Sequence, residues 1–214
     1  MYKILNDYIT NLQSRFDEIS EDRKKTLNKV AAYINHTETA GMKPKLLFVC
    51  THNSRRSQMS QVWANAAAAY RNMENRVPCF SGGTEVTEFN PAAVKALKEK
   101  GFVVDHIPEG DDEPEMYELY YSDDKPPIRC FSKTYDDEYN PDEEFAAIMT
   151  CSSAENDCPF IPGTTCRIAL TYDDPKVSDG TDSQNQVYSE RSDQIALEMV
   201  YIFSRVEENP VQLF

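Results

Sequence analysis

The sequence is short of positive charge: across 214 residues, 22 Lys and Arg face 36 Asp and Glu, a formal charge of −14. An excess of that sign repels polyanions, so nucleic acid and anionic membrane surfaces are excluded as partners, and small, neutral or basic ones are expected. Long apolar runs are also missing, which excludes a membrane-spanning helix of ordinary length. The polar start, MYKILNDYITNLQSRFDE, has no apolar segment behind a basic one, so a cytoplasmic protein is expected. Six cysteines are too few for a disulfide scaffold in a chain of this length, and in a reducing compartment they are expected to play unequal roles. Only three histidines are present, too few to complete a zinc site around cysteines that lack knuckle spacing. No internal repeat or low-complexity segment occurs. What is there, 40% hydrophobic and 11% aromatic residues, suffices for a core.

Ile4, Tyr8, Leu12, Phe16 and Ile19 recur at helical spacing and predict one amphipathic face. Ser20 followed by Glu21 and Asp22 predicts a helix start, and Leu27, Val30, Ala31 and Ile34 the buried face of a second helix ending near Gly41. Residues 1–41 thus form a helical extension, free to pack on the domain or on a second copy. From Lys45 the pattern alternates between strand and helix, predicting an α/β domain over 45–206 with a parallel sheet and helices on both faces. Its strands are expected at 45–49, 77–81 (stopped by Gly82-Gly83), 146–150 and 167–170, with 102–104 as a short strand or edge. Helices are expected at 57–69, from Asn90-Pro91 to Gly101, and at 183–206. A segment at about 107–146 breaks the rhythm. Its acidic borders flank 116–121 and 128–133, which read as a β-hairpin insertion.

Between the first strand and its helix lies Cys50-Thr51-His52-Asn53-Ser54-Arg55-Arg56-Ser57, a cysteine and an arginine with five residues between them. Successive amides in such a loop, together with the helix dipole, bind a tetrahedral oxyanion. Arg56 can grip two of its oxygens bidentately, and the same field favours Cys50 as a nucleophilic thiolate. Ser57 can hydrogen-bond the sulfur when it leaves, and Asn53 can fix the loop shape.

Val49 to Met59 resembles the phosphate-binding loop of the low-molecular-weight protein tyrosine phosphatases and, more closely, of the arsenate reductases built on that fold. Tyr172-Asp173-Asp174-Pro175 resembles their Asp-Pro loop, which implies that Asp174 is the general acid, with Asp173 as the fallback. Cys151 and Cys158, seven apart after a strand and followed by Pro159, resemble the redox segment of the thioredoxin-coupled reductases. The resemblance implies a three-cysteine relay. Cys50 attacks arsenate, Cys151 attacks Cys50 and expels arsenite, and Cys158 carries the disulfide outward to a thioredoxin-like reductant. No cofactor or metal is implied. Cys79, Cys130 and Cys166 are assigned to packing.

The sequence departs from these relatives at several points. Arg55 stands where the reductases commonly have a cysteine, adding charge beside the anion site. Gln61 stands where some have a Glu of a potassium site, so no bound cation is expected. Tyr117, Tyr120, Tyr121, Tyr135 and Tyr139 are candidates for an aryl-phosphate crevice but read more simply as a packed hairpin face. Two further activities fit the loop. One is phosphate monoester hydrolysis through a cysteinyl-phosphate, using Cys50, Arg56 and Asp174 alone. The other is non-enzymatic redox sensing or anion binding, which needs no general acid.

Overall fold

The computed structural model describes residues 1–108, 110, 115–157 and 160–207, with 155–157 described by their backbone alone. Strand β1 (Leu46–Cys50) is buried at every position because its two faces serve two cores. Leu46 and Phe48 enter the larger one, Leu47, Val49 and Cys50 the smaller. Its neighbours are β2 (Cys79–Gly83), β6 (Phe145–Met149) and, beyond β6, β7 (Thr164–Ala169). All pairs are parallel, in the order β2-β1-β6-β7. A parallel strand covered on both faces must be apolar throughout, which is why 46–50 and 145–149 read as unbroken apolar runs.

The two faces are covered unequally. Helices α1 (Lys3–Gln13), α2 (Glu21–Thr39), α3 (Arg56–Tyr70), α4 (Pro91–Glu99) and α6 (Gln184–Ser204) all contribute to the larger core. The smaller core is closed by α5 (Ser152–Asp157) through Ala154, by Ile161, and by the partly buried Phe80 and Tyr135. Cys50 ends β1 and Cys151 follows β6 by two residues, both buried in this smaller core, at 3% and 1% exposure.

The N-terminal helices are fastened to the domain. Leu5, Ile9 and Leu12 are buried in the larger core, while Ile4 is 70% exposed. Of the expected face, Leu12 and Ile19 are buried and Tyr8 and Phe16 pack against the same core, so Ile4 is the residue misplaced; α1 stops at Gln13 and a 3-10 turn follows at Phe16–Glu18, so the spacing through Ile19 belongs to no single helix. Ser20 caps α2, its hydroxyl accepting from the Arg23 amide at 3.3 Å. Arg23 donates twice to Glu198 on α6, both at 2.8 Å, and Glu198 is 3% exposed.

Two further expectations change. The hairpin of β4 (Met116–Tyr120) and β5 (Ile128–Cys130) is present, but β3 (Val103–Ile107) pairs antiparallel with β4, giving a separate three-stranded meander. β3 is largely exposed, with Asp105 and His106 in solvent. Strand β2 starts later than expected and runs through Gly82-Gly83 rather than stopping there. A Cβ on Gly82 would lie 2.5 Å from the Tyr135 Cα, and one on Gly83 2.7 Å from the Thr51 carbonyl oxygen. The glycines let two backbones press against the strand end. Among the described residues no helix is long and apolar enough to cross a membrane.

Candidate active site

β1 delivers Cys50 to the sheet's C-terminal edge, and the chain turns through Thr51 to Arg55 into α3. The turn depends on Asn53, which adopts a positive φ of 44° that Asn tolerates better than most residues. Asn53 is wholly buried and fully used. Its Oδ1 accepts from the Lys133 amide at 3.0 Å and from Gln58 Nε2 at 3.1 Å, and Gln58 Nε2 also reaches its carbonyl at 3.1 Å. A backbone N–H can only donate, so the Lys133 contact fixes which way the Asn53 amide points. Nδ2 then donates to Ser57 Oγ at 2.9 Å. Ser57, having accepted there, keeps its own proton for Cys50 Sγ, 3.0 Å away. The Asn53 backbone N–H donates to the same sulfur at 3.2 Å. Two donors therefore converge on the Cys50 sulfur.

A small cleft over the sulfur is lined by Cys50, His52, Ser54, Arg55, Arg56 and Asp174. Arg56 donates to Asp174 Oδ2 at 2.7 Å and to the Tyr172 carbonyl at 3.1 Å, while its buried Nε has no partner among the described residues. The other oxygen of Asp174 accepts from the Lys176 amide at 3.1 Å, capping the 3-10 turn Pro175–Ser178. Asp173 points away, with its side chain 97% exposed beside Arg191. Of the two Asp-Pro-loop carboxylates, only Asp174 faces the cleft.

The remaining loop residues divide. His52 is an exposed rim residue 3.4 Å from Glu85, and Ser54 is 5% exposed with its carbonyl holding the Asn90 amide at 3.0 Å. Thr51 is half-buried, and its hydroxyl lies 3.6 Å from Cys151 Sγ. Cys151 is 1% exposed, and its sulfur accepts from the Ala154 amide at 3.2 Å. Tertiary structure thus brings Cys151 to the loop that carries Cys50. Cys158 lies outside the described residues. Cys79 and Cys130 are buried; burial pushes both thiols up, that of Cys130 to about 12. Cys166 is raised for the same reason.

Sequence reasoning missed two residues. Arg55 does not simply add charge to the cleft: its Nε donates to the Tyr188 hydroxyl at 2.7 Å and a terminal nitrogen reaches Asp179 at 3.2 Å. Tyr188 in turn donates to Asp179 at 2.7 Å. Burial holds the Tyr188 phenol protonated, up at about 12. The triad ties the anion loop to the segment following Asp174. Nothing in the one-dimensional pattern marks it, because a Tyr on α6 reads as core. We expect Tyr188→Phe to leave Arg55 and Asp179 short of a partner and to cost about 1–3 kcal/mol in urea unfolding; an unchanged midpoint would mean the triad contributes nothing. None of the five tyrosines considered for a crevice lines the cleft.

Gly83 supports the loop from below. A Cβ there would meet the Asn53 amide nitrogen at 2.8 Å as well as the Thr51 carbonyl. Gly83→Ala should therefore cost about 1–3 kcal/mol through overpacking against backbone and slow Cys50 alkylation by iodoacetamide, because the displaced amide is the one that serves the sulfur.

Among the described residues no cluster of three or more His, Cys, Asp or Glu is arranged to hold a metal ion. Gln61 is engaged, accepting from Ser81 at 2.6 Å and donating to the Arg129 carbonyl at 3.2 Å.

Residues 45–119 match the low molecular weight phosphotyrosine protein phosphatase family. The chain is similar to an arsenate reductase of Bacillus licheniformis, 26% identical over 149 residues that span 70% of this chain and 86% of that protein. An arsenate reductase of Bacillus subtilis is 29% identical over 146 residues, 68% of this chain and 84% of the other. Among solved structures, a low molecular weight phosphotyrosine phosphatase of Vibrio cholerae aligns over 75% of this chain and 94% of its own, at 14% identity and a TM-score of 0.49. A thioredoxin-dependent arsenate reductase of Corynebacterium glutamicum aligns over 82% and 67%, at 22% identity and a TM-score of 0.39. Over residues 45–119 the chain is similar to the low molecular weight phosphotyrosine protein phosphatase family, and the curated relatives named above are arsenate reductases.

Proposed function

We propose that the protein reduces arsenate to arsenite by a thiol relay that starts at Cys50. The observation that carries this reading is the placement of Cys151 Sγ 3.6 Å from the hydroxyl of Thr51, the residue next to Cys50. A hydrolase working through a cysteinyl-phosphate needs no second thiol at that point.

Arsenate enters the cleft over Cys50 and takes Asp174's place on Arg56, whose buried Nε is available to complete a two-point grip on the oxyanion. Asp174, released, serves as general acid. The Cys50 thiolate attacks arsenic, an S–As bond forms, and one oxygen leaves as water with a proton from Asp174 and a second from solvent or the substrate itself. The Cys151 thiolate then attacks Cys50 Sγ. The S–As pair of electrons passes to arsenic, which falls from the pentavalent to the trivalent state and departs as arsenite, leaving a Cys50–Cys151 disulfide. Cys158 attacks Cys151, Cys50 returns as thiolate, and a dithiol protein of the thioredoxin class reduces the Cys151–Cys158 disulfide. Because every cycle ends with all three thiols reduced, the cytoplasm is the compartment that suits the enzyme.

The test is a coupled assay with NADPH, thioredoxin reductase, thioredoxin and arsenate. We expect NADPH oxidation that requires both arsenate and thioredoxin, and the loss of two titratable thiols per chain when arsenate is added without reductant. Hydrolysis of p-nitrophenyl phosphate with no arsenate-dependent NADPH oxidation would assign the site to phosphate ester chemistry instead.

A further inference from the structure

A cavity of about 480 Å³ lies between the β2 edge of the parallel sheet and the β5 arm of the meander, apart from the cleft over Cys50. Its size is that of a small-molecule site, and Phe80, Phe131 and Tyr139 give it aromatic walls. Lys133 also lines it and is only 4% exposed. The ammonium sits 4.3 Å from the centre of the Phe131 ring, and its hydrogen-bond acceptor among the described residues is the Phe131 carbonyl, at a long 3.5 Å. Among the described residues no carboxylate stands at ion-pair distance from it, although Asp137 acts on it through space. The other cations of the wall are already paired, Lys125 with Glu74 at 2.9 Å and Arg129 with Glu118 at 3.1 Å. A buried ammonium without a counter-ion is costly to maintain, and burial duly pushes Lys133 below the usual lysine range.

We propose that this cavity is an effector site for a small aromatic monocarboxylate, whose carboxylate pairs with Lys133 and whose ring packs against Phe80 and the Phe131–Tyr139 pair, which stand edge to face with centroids 5.1 Å apart. A single ammonium among aromatic walls matches one negative charge on a flat apolar body; a phosphate or arsenate dianion would leave a charge unmet. The site is joined to the reactive loop by direct hydrogen bonds. The Phe131 carbonyl that faces the ammonium also accepts from Gln58 Nε2 at 2.8 Å, and the Lys133 amide holds Asn53 Oδ1 at 3.0 Å. Drawing the ammonium away from that carbonyl changes the charge felt by Gln58 and Asn53, the residues that aim donors at Cys50.

The test uses the full chain with 2-naphthoate as probe, titrated calorimetrically in saturating inorganic phosphate so that the cleft over Cys50 is occupied. We expect saturable binding at one site, about tenfold weaker for neutral 2-naphthamide and for Lys133→Met, and an alkylation rate of Cys50 by iodoacetamide, measured without phosphate, altered about fivefold by the ligand. Absence of saturable binding overturns the proposal. So does equal affinity for the amide, a comparison made on the wild type and independent of how the variant folds. Binding that leaves Cys50 alkylation unchanged overturns it as well.

Discussion

Replacing Cys50 by Ser should lower both arsenate turnover and p-nitrophenyl phosphate hydrolysis by about 10⁴-fold or more. The substitution is nearly isosteric, so the fold has little reason to respond. A serine Oγ can still accept from the Asn53 amide and pair with Ser57, the two groups that now stand 3.2 and 3.0 Å from the sulfur. What disappears is the nucleophile. A hydroxyl at that place remains protonated, and the loop offers it donors rather than a base: Asn53 and Ser57 both give protons toward the sulfur. The same donors that stabilise a thiolate cannot activate an alcohol. Oxyanion binding should survive, because Arg56 and the loop amides are untouched, so phosphate should still protect the variant against thermal unfolding. Retention of either activity at about a tenth of the wild-type level or more would remove Cys50 from the mechanism.

The second large effect divides the two chemistries. Cys151→Ser should abolish thioredoxin-coupled arsenate reduction, by about 10³-fold or more, while p-nitrophenyl phosphate hydrolysis stays within a few-fold of wild type. The hydroxyl introduced by that substitution can keep the Ala154 amide satisfied, a bond now made to sulfur at 3.2 Å, so α5 should hold. Reduction fails because electrons reach arsenic only through attack of a second thiolate on Cys50, and an alkoxide cannot make a disulfide. Hydrolysis needs only Cys50, Arg56 and Asp174. If the variant reduces arsenate at wild-type rates with thioredoxin, the second thiol is not Cys151 and the relay must be redrawn. Equal loss of both activities would mean that Cys151 serves the loop's shape rather than the redox step.

Much of this site could be read along the chain because its parts are local. Cys50, Asn53, Arg56 and Ser57 lie within one strand-loop-helix passage, and an anion loop is made of consecutive backbone amides, so spacing alone carries its chemistry. Asp174, the candidate that the resemblance marks by its place before Pro175, lines the cleft, and Asp173 does not. The apolar runs at 45–49 and 146–150 mark the buried strands Leu46–Cys50 and Phe145–Met149 to within one residue, because both faces of the parallel sheet are covered there.

Other features exist only once the chain has folded. On α1 the apolar repeat turns Ile4 inward, whereas Leu5 and Ile9 take the buried positions beside Leu12, and the repeat continues through a 3-10 turn that periodicity cannot see. β3 looked like part of the α/β rhythm and joined the meander, because strand pairing is settled by partners far along the chain. Gly82-Gly83 looked like a stop and is instead the place where two backbones close on β2.

By itself, then, the sequence determined the α/β class and the strand-loop-helix passage that carries Cys50, for these rest on residue type and short spacing. Tertiary structure alone decided that Cys151 stands beside Thr51, 100 residues away in the chain, that Arg55 is held by Tyr188 and Asp179, and that Lys133 is buried behind Asn53 with no counter-ion among the described residues. Each of these is a long-range contact whose geometry depends on how the two cores close around the sheet, and no local preference of the chain encodes it.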